Sequence, residues 1–379
     1  MTTNLSLRGE GLAKQKPVFL DVLANIWDPV LNPTGVVNLG LAENTLMHTE
    51  LKQFMNSKQF SPHIPLHPSH VTVTSGVSNA LECTAWGLFD EGDHLLVSRP
   101  YFNAFRTSFS TRAGVGLLEV KLGEIDAFSF AAVEHYEEAL LSARKEGITV
   151  KALLLCSPHN PLGRCYSEDV LREYMRLCGK YNLHLISDEI YALSVWESPD
   201  LPEATSFKSV LSIDTAGLMD QSMDFGATGL RIGCLISQSN QRLLEAADGI
   251  SLLNFPSSAA DSVATSLLAD DEFTTEYMRT NRLRLAESYK FVTAFLKRHE
   301  IPYSQCNATF FLWIRLGAVV KDPNTTDDEI LAKLRNLKVY IAAGYAYASE
   351  ERGWFRLVFA HPRPVLEEGL QRIAQALEL

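Results

Sequence analysis

Between residues 71 and 237 the chain alternates short apolar runs with amphipathic stretches. Val71-Thr72-Val73-Thr74 is β-branched and stops at Ser75-Gly76, after which residues 80–88 read as helix. His94-Leu95-Leu96-Val97, Ala152-Leu153-Leu154-Leu155-Cys156, His184-Leu185-Ile186-Ser187 and Gly233-Cys234-Leu235-Ile236-Ser237 are further runs of strand length. Such runs, bounded by turn formers, predict strands buried on both faces. Residues 167–181, opened by Ser167 with Glu168 beside it, predict a helix, because a serine oxygen accepts a first-turn N–H and an acid suits the helix start. The alternation predicts a mainly parallel α/β sheet. Beyond Asp270 the pattern changes. Residues 274–299 predict long charged helices, and Phe310-Phe311-Leu312-Trp313-Ile314 and Phe355-Arg356-Leu357-Val358-Phe359 predict strands of a second layer. The expected organisation is a large domain over residues 61–270, a smaller α+β domain over 271–379, and an N-terminal segment, 1–60, that joins the smaller one.

A chain of 379 residues is long enough for two such cores. With 46% hydrophobic and 21% charged residues the composition is that of an ordinary globular protein. The net charge of −11 argues against a nucleic-acid surface, and no apolar run approaches a membrane span. The start, Met1-Thr2-Thr3-Asn4-Leu5-Ser6, lacks the basic and apolar regions of a secretory signal, so a cytoplasmic setting is expected. Cys83, Cys156, Cys165, Cys178, Cys234 and Cys306 are dispersed, with neither a CxxC pair nor metal-ligand spacing. They are expected to be small buried hydrophobes, and no metal is expected.

Several segments carry chemistry. Ile186-Ser187-Asp188-Glu189-Ile190-Tyr191 reads as a buried strand ending in an acid and a phenol, at the strand end where ligands of open α/β sheets bind. Taken alone, Asp188 reads equally as a helix cap and Tyr191 as a core residue. Thr74-Ser75-Gly76-Val77-Ser78-Asn79-Ala80 is a strand, a glycine turn and a helix start, whose free N–H groups suit a phosphate. Ser157-Pro158-His159-Asn160-Pro161-Leu162-Gly163 contains a turn signal. In Pro100-Tyr101-Phe102, either aromatic could stack on a ring or belong to the core. Met223-Asp224-Phe225-Gly226-Ala227-Thr228-Gly229-Leu230-Arg231-Ile232-Gly233 reads as a glycine-rich turn that delivers an arginine. Arg356 sits on an otherwise apolar strand, where a guanidinium is costly without a partner.

Together with Asn38-Leu39-Gly40-Leu41-Ala42-Glu43-Asn44, these motifs resemble the fold-type-I pyridoxal-phosphate enzymes. Within them the chain is similar to the aminocyclopropane-carboxylate-synthase-like branch of the class I/II aminotransferases. The resemblance spans nearly the whole chain. It implies an aspartate-aminotransferase-like fold, pyridoxal 5′-phosphate as cofactor, an amino-acid substrate, and a homodimer. The implied chemistry is transamination or elimination in specialised amino-acid or secondary metabolism. It further implies that Asp188 pairs with the ring nitrogen, that Tyr191 and Asn160 contact the phenolic oxygen, and that Phe102 stacks on the ring. Val77, Ser78 and Arg231 would hold the phosphate, while Glu43 and Arg356 would meet the substrate's amino-acid end.

Two segments of the family pattern are missing. The Asp-x-Gly-x-x-Gly-x-Arg run should follow a buried strand ending in Ser-x-Ser-Lys, yet only Gln221, Ser222 and Met223 separate Asp220 from Asp224. Met223 therefore stands where the resemblance implies the Schiff-base lysine. Between Glu50 and Val71 the family's Thr-Tyr-Gly segment, which reaches the partner subunit, is also absent, and no tyrosine occurs before Tyr101. Three explanations compete: a mis-spliced or mis-assembled gene product of a normal enzyme, a pseudoenzyme or partner subunit that keeps the pocket, and rescue by another lysine. Lys208 is the nearest candidate for rescue, although its surroundings read as an exposed loop. The two clean excisions favour the first. Residues 210–214 (Val210-Leu211-Ser212-Ile213-Asp214) are apolar and of strand length, and are expected to slide into the vacated place in the sheet.

Overall fold

The computed structural model describes residues 25–40, 68–214, 223–227, 232–238, 240–251 and 270–379, with isolated positions (22, 254, 256–258, 260, 263 and 264) between them. Seven strands form one sheet: the expected β2 (Val71–Thr74), β3 (His94–Ser98), β5 (Val150–Cys156), β6 (His184–Asp188) and β8 (Ile232–Ile236), together with β4 (Gly116–Val120) and β7 (Met223–Ala227), which the sequence pattern does not predict. Their order is β2-β8-β7-β6-β5-β3-β4. Every neighbouring pair is parallel except those made by β8, which runs against both β2 and β7. The middle strands are buried along nearly their whole length, as their unbroken apolar runs require.

Helices Val77–Leu88, Phe130–Lys145, Glu168–Tyr181 and Gln241–Ser251 flank this sheet. Ser167 caps its helix by accepting the Val170 N–H, as the sequence predicts. That helix presents Val170, Leu171, Tyr174, Met175 and Cys178 to the core at a helical period.

Residues 271–298 form one continuous helix (Asp271–Arg298) rather than several. The second layer is a three-stranded antiparallel sheet of β11 (Ala342–Ala343), β12 (Trp354–Val358) and β9 (Phe311–Arg315), in that order. A short strand near the N-terminus, β1 (Val37–Asn38), pairs in parallel with β10 (Val339–Tyr340). The Arg372 guanidinium, on helix Arg363–Leu377, donates to the carbonyls of Pro33 and Gly35 and holds this segment down.

The place beside β6 is filled differently from expectation. Val210–Ser212 is a short 3-10 turn outside the sheet, so residues 210–214 do not substitute for the missing strand. The reason is local. The Val210 N–H is taken by the Glu189 carboxylate at 2.9 Å, and those of Leu211, Ser212 and Ile213 by Ser209 and Val210. A segment whose donors are spent this way has none left for a ladder. The segment read as a glycine-rich turn supplies the strand instead: Met223 pairs with Ser187 and Asp224 with Asp188 across β6–β7, and all five β7 residues pair with β8.

Candidate active site

Three of the expected site residues share one hydrogen-bond chain. Asn160 follows the end of β5 and is buried. Its Oδ1 accepts from Arg356 Nη1 at 3.1 Å, and its Nδ2 donates to the Tyr191 hydroxyl at 3.3 Å. Its loop is pinned from both sides. The Gly163 carbonyl accepts the N–H groups of Asn307 and Ala308, and Gly163 has φ +65° with the space for a Cβ already taken by Cys306 at 2.6 Å. Only glycine meets both conditions. Tyr191 lies one turn beyond β6, its ring edge-to-face with Phe310 and Phe311. Burial chiefly drives its pKa upward, with Arg356 opposing and Asp188 adding to the rise.

Arg356, on β12, is buried at 3% exposure. Its Nη2 donates to the Gly40 carbonyl at 2.9 Å, and its guanidinium lies over the rings of Phe311 (4.7 Å) and Tyr347 (4.9 Å). Its Nε is buried without a partner, and among the described residues its bonds go to Asn160 and Gly40 rather than to a carboxylate. Cation–π contacts, the Gly40 carbonyl and the Asn160 amide oxygen offset part of the desolvation. Among the described residues no opposite charge balances the guanidinium.

Asp188 ends β6 and is also buried. Its Oδ1 accepts the Ile190 N–H at 3.1 Å, and among the described residues it has no cationic partner. Burial raises its pKa to about 6 against that single hydrogen bond. The neighbouring Glu189 was not singled out from sequence. It is fully buried, accepts from Val210 N–H and the Ser187 hydroxyl, and burial lifts its pKa to about 8.

The glycine turn after β2 has the expected form. Gly76 precedes the helix with φ +78° and gives no side-chain cap, and the first-turn N–H groups of Val77 and Ser78 have no partner among the described residues. The turn lies directly against β8, since a Cβ on Gly233 would meet the Gly76 carbonyl carbon at 2.6 Å and the Val77 nitrogen at 2.7 Å. The aromatic pair separates cleanly. Tyr101 is core, its hydroxyl bonded to Glu119, whereas Phe102 is only half-buried, edge-on to Phe105.

Glu43 and Arg231 lie outside the described residues, as do the side chains of β7, Met223 included. Lys208 is half-exposed and held by Glu168 at 3.2 Å. The aromatic walls of the Arg356 site were missed, although one signal existed. Arg356 faces Trp313 across β12–β9, which places Phe311, two residues along, on the same face.

Comparisons with known proteins identify the family and the fold. The model of the family described as aminotransferase class I and II matches residues 40–373. A "Probable aminotransferase aclI" of Aspergillus oryzae is 33% identical over 86% of this chain and 79% of its own length. A human "Probable inactive 1-aminocyclopropane-1-carboxylate synthase-like protein 2" is 35% identical over 83% of this chain, which spans 56% of that relative. The aspartate aminotransferase of Thermus thermophilus with maleate superposes with a TM-score of 0.76 at 20% identity, over 98% of this chain and 99% of that one. The match to a "Probable aminotransferase tcpI" of Claviceps purpurea runs over 412 positions yet covers 97% of 379 residues, so the relative carries residues that this chain lacks. The chain has the fold of the aspartate-aminotransferase-like enzymes and belongs to the aminotransferase class I and II family.

Proposed function

We propose that this chain is a pocket-retaining member of the family that holds pyridoxal 5′-phosphate and an amino acid without a covalent bond to the protein. The observation that carries it is Arg356, a buried guanidinium with no carboxylate partner among the described residues, joined through Asn160 to Tyr191. A cation left this way is costly unless a ligand anion completes it.

Pyridoxal phosphate is the family's cofactor, and the described residues fit it. Asp188, a buried carboxylate without a cation, would face the ring nitrogen and stabilise its protonated form. Tyr191 accepts from Asn160 and so keeps its own proton, which it would donate to the phenolic oxygen, with Asn160 beside it. Val77 and Ser78 would offer their N–H groups to the phosphate, helped by Arg231, and Phe102 would lie against the ring. Glu43 and Arg356 would meet the amino-acid end. When bound, the cofactor supplies an electron sink for charge developing at the substrate's Cα. The protein's part is to orient the carboxylate, keep a proton on the ring nitrogen and exclude water. With Met223 in the lysine's place, the amine that the family uses to bond the cofactor and to shuttle the Cα proton is missing from that position. In this reading residues 61–270 hold the cofactor, and residues 271–379 with the N-terminal segment supply the carboxylate site.

A second reading is an active aminotransferase or lyase of specialised amino-acid metabolism, homodimeric and cytoplasmic, whose gene still encodes the missing segments. The extra positions in the Claviceps relative favour it. Genomic DNA around the codons for Gln221 to Asp224, which either contains the missing strand in frame or does not, separates the two; the first is tested by mixing the chain with pyridoxal phosphate, reducing with borohydride and mapping the peptides. Saturable binding with no labelled lysine is expected. One specifically labelled lysine would overturn the non-covalent reading in favour of rescue by another lysine, and absence of binding would remove the proposal.

A further inference from the structure

A 3-10 turn, Gly344–Tyr347, carries one wall of the Arg356 site, with the guanidinium carbon 4.9 Å from the centre of the Tyr347 ring. The turn ends on Ala348, which takes the left-handed conformation at φ +55°. A residue with a Cβ is disfavoured there and stays only where its surroundings fix it. One side of the turn rests on β12, since a Cβ on Gly344 would meet the Trp354 carbonyl oxygen at 2.7 Å. The other side is held from the seven-stranded sheet. Arg99, the residue after β3, donates from Nε to the Ala348 carbonyl at 2.6 Å and from Nη2 to the Ser349 carbonyl at 3.3 Å. Two residues on, the Tyr101 N–H donates to the Tyr347 carbonyl at 3.0 Å. Glu119 on β4 lies 3.6 Å from Arg99 Nε and accepts the Tyr101 hydroxyl at 2.7 Å, so it steadies both. Glu350 binds in the opposite sense, its carboxylate accepting the N–H groups of Leu122 at 2.8 Å and Gly123 at 3.2 Å. Bonds from a guanidinium are charge-assisted, so Arg99 holds the turn more firmly than the backbone bond beside it.

We propose that Arg99 is a positioning residue: by holding the Ala348 and Ser349 carbonyls it keeps the Tyr347 ring against the Arg356 guanidinium, and so sets how well that guanidinium receives a carboxylate. This rests on the reading of Arg356 as the carboxylate site given above. Arg99 acts through Tyr347 and contributes no contact to the ligand. A ring that drifts from the guanidinium withdraws a cation–π contact and leaves Arg356 with freedom that a bound carboxylate has to remove.

Fluorine NMR on the full chain labelled with 3-fluorotyrosine tests this, with the Tyr347 signal identified by its loss in Tyr347→Phe. The probe is acetate, a carboxylate alone, and acetamide is its neutral control. Acetate should shift the Tyr347 signal saturably in the unaltered chain, and acetamide should not. In Arg99→Gln the signal should move or broaden before any probe is added, and acetate should bind about threefold or more weakly. Arg99→Lys returns a donor to the same carbonyls and should recover part of both effects. A Tyr347 signal unmoved by Arg99→Gln would overturn the proposal, as would a moved signal with acetate affinity unchanged. No recovery in Arg99→Lys would also overturn it, since loosened packing rather than lost donors would then be the cause. Those three results leave the carboxylate reading of Arg356 standing. If acetate leaves the Tyr347 signal of the unaltered chain in place, that reading falls and the proposal with it. Arg99→Met, which keeps the stem and removes every donor, stands in for Arg99→Gln should that variant not fold.

Discussion

Replacing Asp188 by asparagine should stabilise the ligand-free protein at neutral pH while damaging its cofactor site. Asp188 is buried, its described hydrogen bond comes from Ile190 N–H, and burial raises its pKa from 3.8 to about 6. Between those two values the folded state binds more protons than the unfolded state, so stability falls as pH rises through this window. Above pH 6 the ionised carboxylate costs the fold about 3 kcal/mol, from roughly two pKa units at about 1.4 kcal/mol each. Asparagine keeps an oxygen for the Ile190 N–H and carries no charge. Asp188→Asn should therefore raise the urea midpoint at pH 7, with a gain of up to about 3 kcal/mol that shrinks to near zero below pH 4. Saturating pyridoxal phosphate should reverse the order, because the aspartate then gains a pyridinium partner and the asparagine does not. Urea melts at pH 7 and pH 4, with and without ligand, make up the assay. A variant that is less stable at pH 7, or a gain that is equal at both pH values, would refute the argument that an uncompensated buried charge sits here.

Asn160→Leu should cost about 2–4 kcal/mol in urea melts, because it strips a charge-assisted bond from Arg356 and leaves the Tyr191 hydroxyl buried and unpaired; a loss under about 0.5 kcal/mol would mean that the chain of bonds is not structural. Gly163→Ala should lower the melting temperature by several degrees, about 2 kcal/mol or more, since φ +65° and the 2.6 Å approach to Cys306 both oppose a Cβ; an unchanged midpoint would show that the loop can yield. Inserting the family's strand with its Ser-x-Ser-Lys ending between Ser222 and Asp224 should displace β7 from β6 and bring a borohydride-trappable lysine into the site. Peptide mapping with no label on that lysine would tell against a shortened enzyme.

The sequence by itself determined the middle strands of the sheet and named the candidate site residues that follow them. The runs at 94–97, 152–156 and 184–187 are apolar, of strand length and bounded by turn formers, and local burial of that kind tolerates little other than a strand. The motifs ending those strands placed Asn160, Asp188 and Tyr191 near one sheet edge, because chain order and parallel topology align strand ends. Less was legible where partners are remote. Gly116–Val120 and Phe130–Lys145 have no strong local signature and were passed over, since the neighbours that bury them come from other strands and helices. Tertiary structure alone decided which of Tyr101 and Phe102 stays half-exposed. It alone brought the Gly40 carbonyl and the rings of Phe311 and Tyr347 around Arg356, contacts spanning up to 316 positions of sequence. It also decided what pairs with β6. Residues 210–214 have the better strand composition, yet Glu189 takes the Val210 N–H and local bonds take the next three. Met223–Ala227, with a glycine and weaker propensity, enters the sheet because β6 and β8 both present unpaired edges to it. Strand propensity is a local preference worth tenths of a kcal/mol per residue, whereas an open ladder in a buried sheet costs about 1–3 kcal/mol per orphaned group. The second term wins, and no window of the sequence contains it.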